Sequence, residues 1–391
     1  MKVQLGSSGF VALLLFTLPL SQLAIDIYTP SMPHMVMALH ASVATIQWSM
    51  TVYLLAMGIG MYFLGVWSDY IGRRSIYLYG FIIYNLGTLA CLFAHSGNVL
   101  LLGRAIQGFG AGAIVCLTAM LSDVFRGEKL LKVSGYSSMV WSLMPIIAPF
   151  IGGLLQQYIN WQANFVFMMI YGVIGYALLL IYLPETYPKD RRCPFKLSFV
   201  LTAMLKTISN RCFIGYVSLI TLSWSIMVLF SIMTPFLFQS VYHIAPALYG
   251  LLALLFGLFY TIGVFLNSRL VMRLGVARLI QWGNIGMLSG GVLLAMTALL
   301  HWSNLWAVML PCLYTVVLTG FIYPNAWAGA VETFGKETAG IASAMMAILV
   351  LGSVALITFL ASGFNSQTQW PLAICFTVIG VLSMAIFKYL V

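Results

Sequence analysis

Gly65-Val66-Trp67-Ser68-Asp69-Tyr70-Ile71-Gly72-Arg73-Arg74 joins two long apolar runs, and its end returns 203 residues later as Arg273-Leu274-Gly275-Val276-Ala277-Arg278, again between apolar runs. A charged turn with glycine, repeated at about half the chain length, predicts two copies of one helical unit. Around this turn polar residues are scarce. Of 391 residues, 62% are hydrophobic, 14% aromatic and 7% charged, with a mean hydropathy of +1.02. A soluble chain carries roughly a quarter charged residues, so these apolar side chains must face lipid as well as one another.

A span takes about 20 apolar residues. Reading the runs between polar punctuation gives twelve spans: 8–32, 43–67, 75–95, 98–121, 132–157, 163–183, 212–240, 246–268, 278–300, 304–330, 338–362 and 370–390. Runs of this length must satisfy their backbone internally, so helices are expected, and the alternation of barrel strands is lacking. The expected fold is all-α and polytopic, with two pseudo-symmetric six-helix bundles over 1–183 and 212–391 and a cytoplasmic linker over 184–211. No room remains for a soluble catalytic domain. Within the linker Phe195, Phe199, Val200, Ala203, Met204 and Ile208 recur at helical spacing opposite Lys196 and Lys206. That pattern fits an amphipathic helix on the inner membrane surface or a basic linker without fixed structure.

Placing the N-terminus in the cytoplasm puts 17 of the 18 Lys and Arg inside, Arg104 being the exception, so both termini are expected to be cytoplasmic. The outer loops hold no Lys, Arg, Asp or Glu, and His34, His40, His95, His243 and His301 all fall on that side. Trp161, Trp302, Trp306 and Trp370 sit at outer span ends, as an aromatic belt requires. The net charge of +10 therefore reads as a membrane signature and not as a nucleic-acid surface. The first apolar run reaches Asp26 and Pro30 without a small-residue cleavage site, and is read as a retained span. Six scattered cysteines, with no Cys-x-x-Cys and no His at ligand spacing, predict neither disulfide nor metal site.

Inside the spans two ionisable residues stand out, Asp26 and Arg104. A lone charge at the bilayer centre costs at least about 2.5–3.5 kcal/mol, so such residues normally face a cavity or a partner. Both are expected in the outer half of the bilayer, close enough to interact. A neighbouring arginine favours the carboxylate and desolvation favours the acid, which suits a group that exchanges a proton for a cationic substrate. The bland alternatives are a hydrated interfacial acid and an arginine that only serves backbone carbonyls. Asp26 shares a helix face with Gln22 and Pro30, and Pro30 and Pro33 loosen the helix end beyond it. Arg104 shares a face with Gln107, Gly108 and Ala111, a small-residue stripe suited to close packing or to a ligand. Tyr28, Tyr53, Trp141, Trp224 and Tyr260 are further candidates for lining an apolar substrate site, although aromatic residues in spans more often pack in the core or face lipid.

In the opening turn, Gly65, Asp69, Gly72, Arg73 and Arg74 form a candidate cytoplasmic gate, with Asp123 at the inner end of the fourth span as ion-pair partner to Arg73 or Arg74. A positive-inside anchor is the alternative. The fifth span contains Pro145-Ile146-Ile147-Ala148-Pro149-Phe150-Ile151-Gly152-Gly153, whose Pro145, Pro149, Gly152 and Gly153 predict a kinked and closely packed helix.

With these segments quoted, the whole chain resembles the major facilitator superfamily and, within it, the Bcr/CflA-type (bicyclomycin/chloramphenicol resistance) branch of drug:proton antiporters. The 65–74 turn looks like the superfamily's loop signature. Arg104-Ala105-Ile106-Gln107-Gly108-Phe109-Gly110-Ala111-Gly112 is similar to the fourth-span signature, whose arginine is implicated in proton transfer. The fifth-span segment resembles the antiporter signature, with Ala148 where glycine is usual, and Leu183-Pro184-Glu185-Thr186 resembles the usual exit from the sixth span. Asp26-Ile27-Tyr28-Thr29-Pro30-Ser31-Met32-Pro33 is close to the branch's first-span motif, in which the acid couples protons to substrate. Two departures stand out: Gln162 where the superfamily often has arginine, and one first-span acid where some members have two.

The resemblance implies a multi-pass protein of the bacterial inner membrane, monomeric and without cofactor. It would export small organic molecules in exchange for protons by alternating access between its two bundles. The competing expectation is a transporter dedicated to one metabolite, such as a siderophore, exporting or importing it with the same fold. A membrane enzyme would need paired intramembrane histidines or clustered acids, and the sequence supplies neither.

Overall fold

The structure is a computed structural model that describes residues 3–188, 209–333, 339–364 and 367–391, without the side chains of 339–344. The segment of the linker read as amphipathic, with Lys196 and Lys206, lies outside the described residues. Apolar helices long enough to cross a membrane follow one another along the chain. In the first half these are α1 (Ser8–Ala38), α2 (Val43–Ile71), α3 (Arg73–Leu92), α4 (Gly97–Val124), α5 (Gly127–Tyr158) and α6 (Gln162–Tyr182). The second half contributes α7 (Arg211–Val241), α8 (Pro246–Leu274), α9 (Val276–Leu299), α10 (Leu305–Glu332), α11 (Ala339–Ala361) and α12 (Trp370–Leu390). The chain divides into two compact units, Met1–Lys196 and Leu197–Val391.

Several helices outrun the expected spans. α1 continues past Pro30 and Pro33 to Ala38, because Thr29–Ser31 tightens into a 3-10 turn and Pro33 falls in the first turn of the helical piece that follows. There a missing N–H costs nothing. His34 consequently sits on a helix and not in a loop. Arg73 and Arg74 open α3, Lys129 and Lys132 belong to α5, and Arg269 and Arg273 to the last turns of α8. Hydropathy ends a span at its first basic residue, whereas long basic side chains let a helix run on into the membrane interface.

The repeated turn is a repeated backbone joint. Gly72 alone separates α2 from α3, with φ at 118°, and Gly275 alone separates α8 from α9, with φ at 81°. These conformations favour glycine, because a Cβ would collide with its own backbone. His40 and His243 stand at the same 203-residue offset and adopt φ of 48° and 55° in the outer turns after α1 and α7.

Close helix contacts organise the first unit. A side chain on Gly108 of α4 would collide with the Tyr53 carbonyl of α2, and one on Gly152 of α5 with the Ile27 carbonyl of α1. α5 is continuous through Pro145 and Pro149, and Gly152 and Gly153 are both buried. In the second unit α7 packs on α10, α11 and α12 and ends in a π-helical turn, Phe236–Val241, after Pro235. Acids and bases are distributed unevenly: among the described residues, the buried acidic and basic side chains are Asp26 and Arg104, both in the first unit.

Candidate functional site

Asp26 closes the helical piece Pro19–Asp26 of α1. Pro30 has no N–H to give the Asp26 carbonyl, and the Thr29 hydroxyl donates to it instead at 2.9 Å. The α-helical ladder thus gives way to the tighter Thr29–Ser31 turn just beyond the acid. The side chain is 5% exposed and accepts a hydrogen bond from Gln22 Nε2, one turn earlier, at 2.9 Å. Gln22 Oε1 is buried without a hydrogen-bond partner. Neighbouring helices hold α1 by hydroxyls: Tyr53 donates to the Ser21 carbonyl at 2.7 Å, Tyr84 to the Leu20 carbonyl at 3.4 Å and Tyr171 to the Phe16 carbonyl.

Arg104 is fully buried on α4. Its guanidinium carbon lies 4.5 Å from the Tyr28 ring centre and 4.2 Å from that of Tyr53. Nη1 donates to Gln107 Oε1 at 2.5 Å and Nε to the Ser49 carbonyl at 3.4 Å, while Nη2 has no hydrogen-bond partner among the described residues. Gln107 Nε2 donates onward to Thr88 at 2.8 Å, and the Tyr28 hydroxyl meets Ser49 Oγ at 2.9 Å. Desolvated cation–π contacts are worth up to about 2 kcal/mol each. Two of them are comparable with the cost, about 2.5–3.5 kcal/mol, of a charge in mid-membrane.

Asp26 and Arg104, expected to lie close enough to interact, are not joined directly. Neither joins an ion pair among the described residues, because the guanidinium is taken up by two rings and an amide. Tyr53 lies within electrostatic reach of both. Gln22, Asp26, Tyr28, Tyr53, Arg104 and Gln107 are thus gathered in the core of one unit, whereas Trp141 is half-buried on α5, outside their hydrogen bonds. Trp224 and Tyr260, also half-buried, belong to α7 and α8 of the second unit. Sequence reading missed Thr29, Ser49 and Thr88. Only Thr29, next to a proline, carried a local signal.

At the inner end of the first unit, Arg73 Nη1 pairs with Asp69 at 2.5 Å and Arg73 Nε with Asp123 at 3.4 Å. Arg74 has different partners, donating to the carbonyls of Leu183 at 2.7 Å and Leu180 at 2.8 Å at the end of α6. Glu185 Oε1 accepts the backbone N–H groups of Arg73 at 3.0 Å and Arg74 at 3.5 Å, the first donors of α3, where a carboxylate also suits the helix dipole. Gly65 leaves room against Val115 of α4, and Gly72 supplies the joint. All these partners lie within the first unit, so the cluster ties α2, α3, α4 and the exit of α6 together.

A family profile of the Major Facilitator Superfamily matches residues 14–358. The chain belongs to the major facilitator superfamily. Membership makes it a multi-pass membrane transport protein and not an enzyme, and accounts for twelve spans in two halves. Within the superfamily it is 30% identical over 373 residues to the MFS-type transporter YdgK of Bacillus subtilis (strain 168), across 94% of this chain and 92% of the relative. It is 28% identical over 375 residues to the bicyclomycin resistance protein homolog of Haemophilus influenzae (strain ATCC 51907 / DSM 11121 / KW20 / Rd), with the same coverage, 94% and 92%. The crystal structure of a D-xylose-proton symporter superposes with a TM-score of 0.78 at 14% identity, covering 96% of this chain and 97% of that one, a likeness of fold alone.

Proposed function

We propose that this member of the superfamily is a proton-coupled antiporter of the Bcr/CflA type, exporting small organic molecules by alternating access, with Asp26 as the proton carrier. The supporting observation is the unequal support of two buried charges. Arg104 has two aromatic faces and two oxygen acceptors, and stays charged throughout. Asp26 has a hydrogen bond from a neutral amide. Taking up a proton removes a buried charge there and turns a nearly neutral Asp26/Arg104 network into a cationic one. That change favours release of a cationic or polar guest, and loss of the proton favours its binding. One charge crossing 100 mV supplies about 2.3 kcal/mol, enough for a substrate gradient of roughly fiftyfold.

The branch assignment is supported by the first-span segment Asp26–Pro33 and by the likeness to the Haemophilus bicyclomycin resistance homolog. The test uses acid-loaded everted membrane vesicles with a lumenal pH dye, challenged with bicyclomycin and with unrelated cationic and neutral compounds. Proton efflux driven by several of them, absent in Asp26→Asn, is the expected result. A response to a single compound class would replace multidrug export by transport of one metabolite, and efflux independent of Asp26 would contradict the reading.

A further inference from the structure

The inner joints of the two units balance their charge differently. In the first, Arg73 pairs with Asp69 and Asp123, and Glu185 accepts the opening N–H groups of α3. At the 203-residue offset Gly275 stands for Gly72, and Met272, 89% exposed, stands for Asp69. Arg269, Arg273 and Arg278 flank the second joint; all are exposed, and none joins an ion pair among the described residues. Among the described residues of that unit the acid is Glu332, against Arg211, Arg269, Arg273, Arg278 and Lys388. Leu258, Ile262, Phe265, Arg269, Met272 and Arg273 share one face of α8, and every one of them is exposed. This face is apolar along the span and ends in two arginines a turn apart, with Arg278 just beyond the Gly275 joint. The Arg269 guanidinium carbon lies 5.2 Å from the Phe265 ring centre, so the charged end and the apolar stripe are continuous.

We propose that this face binds an anionic phospholipid of the inner leaflet, its phosphate among Arg269, Arg273 and Arg278 and an acyl chain along Phe265, Ile262 and Leu258. Three bases without an acidic partner call for an anion, and the guanidinium fork matches phosphate oxygens. The stripe makes the source a lipid: a chain lying along it holds the headgroup at the height of the arginines, an anchorage that free phosphate lacks. A second copy of the chain would set the same arginines against these, and like charges oppose such a dimer. At the second joint the lipid phosphate does what Asp69, Asp123 and Glu185 do at the first, neutralising cations gathered at a turn between two helices. Each arginine near an anionic headgroup favours it by about fivefold, and three together by roughly a hundredfold.

The test is a displacement titration on purified, delipidated full-length protein in detergent. A trace of fluorescent phosphatidylglycerol is followed by energy transfer from the protein's tryptophans, and unlabelled phosphatidylglycerol, phosphatidylcholine or inorganic phosphate is added against it. In the wild type, phosphatidylglycerol should displace the probe at a concentration roughly a hundredfold below that of phosphatidylcholine, and inorganic phosphate should be ineffective. Arg269→Gln, Arg273→Gln and Arg278→Gln should each weaken that preference by about fivefold and together abolish it. Lys129→Gln with Lys132→Gln, exposed bases at the start of α5, should leave it unchanged. Unfolding temperatures identify folded variants, and if the triple variant fails to fold, the single ones decide. Equal displacement by the two lipids, or a wild-type preference in the folded arginine variants, would overturn the site. So would an equal loss in the lysine variant, which would assign the preference to diffuse inner charge. Displacement by inorganic phosphate as effective as by phosphatidylglycerol would overturn the lipid as occupant.

Discussion

Arg104 is charged, dry and matched by aromatic faces instead of a carboxylate, and its variants should respond accordingly. A lysine carries the charge but cannot lie flat across two rings while also reaching Gln107 and the Ser49 carbonyl. Arg104→Lys should lose about 1–2 kcal/mol of support for the cation, seen as a lower unfolding temperature together with weaker transport. Asp26→Asn should behave in the opposite way. A neutral amide still accepts from Gln22 and carries no buried charge, so the variant should unfold at or above the wild-type temperature while losing proton-coupled transport. A marked loss of stability would show that the acid is structural. Both charges were legible in the sequence because lipid makes any charge in a span conspicuous. Gln22 and Gln107 were legible too, as neighbours on the same helix faces, whereas Tyr28 and Tyr53 stood out only as candidates to line a substrate site: nothing local in a chain of 20 tyrosines marks a ring that will receive a guanidinium from another helix.

Among the elements, α1 is the least regular and the most dependent on its neighbours. Prolines at 19 and 30 remove backbone donors, and hydroxyls from Thr29 and the tyrosines of α2, α3 and α6 stand at its carbonyls. α5 approaches α1 at Gly152, directly beside the residue that follows Asp26. Gly152→Leu should force the helices apart, costing about 1–3 kcal/mol and displacing Asp26, so unfolding temperature and proton release should fall together. Glu185 holds the start of α3 through two backbone N–H groups, and Glu185→Gln should lower stability by roughly 1 kcal/mol as the charge leaves the helix terminus. The sequence marked Glu185 only as part of an exit motif, since the α3 donors it meets, unlike those of Thr186 and Tyr187, lie over a hundred residues away. The reach of α1 to Ala38 was hidden for a local reason: Pro30 and Pro33 read as breaks, and only the tight turn at Thr29–Ser31 shows that they are accommodated.

At the scale of the whole molecule, two features were readable because membranes impose them. Long apolar runs must be helices, and basic residues collect on one side. The repeat at 203 residues was visible in a few charged and glycine positions because its joints need a glycine with positive φ. The polarity of the two units has nevertheless diverged: among the described residues, the buried acid and the buried base both lie in the first. The account therefore assigns proton handling to that unit and predicts that no substitution of a second-unit aromatic, such as Trp224→Phe or Tyr260→Phe, abolishes proton uptake, whatever it does to substrate affinity. The most direct test is bicyclomycin-induced proton release from the purified, detergent-solubilised protein, measured with a pH indicator beside a panel of unrelated cationic and neutral compounds. The account predicts release from the wild type and none from a folded Asp26→Asn variant. Equal release from both would place the exchangeable proton elsewhere and contradict it.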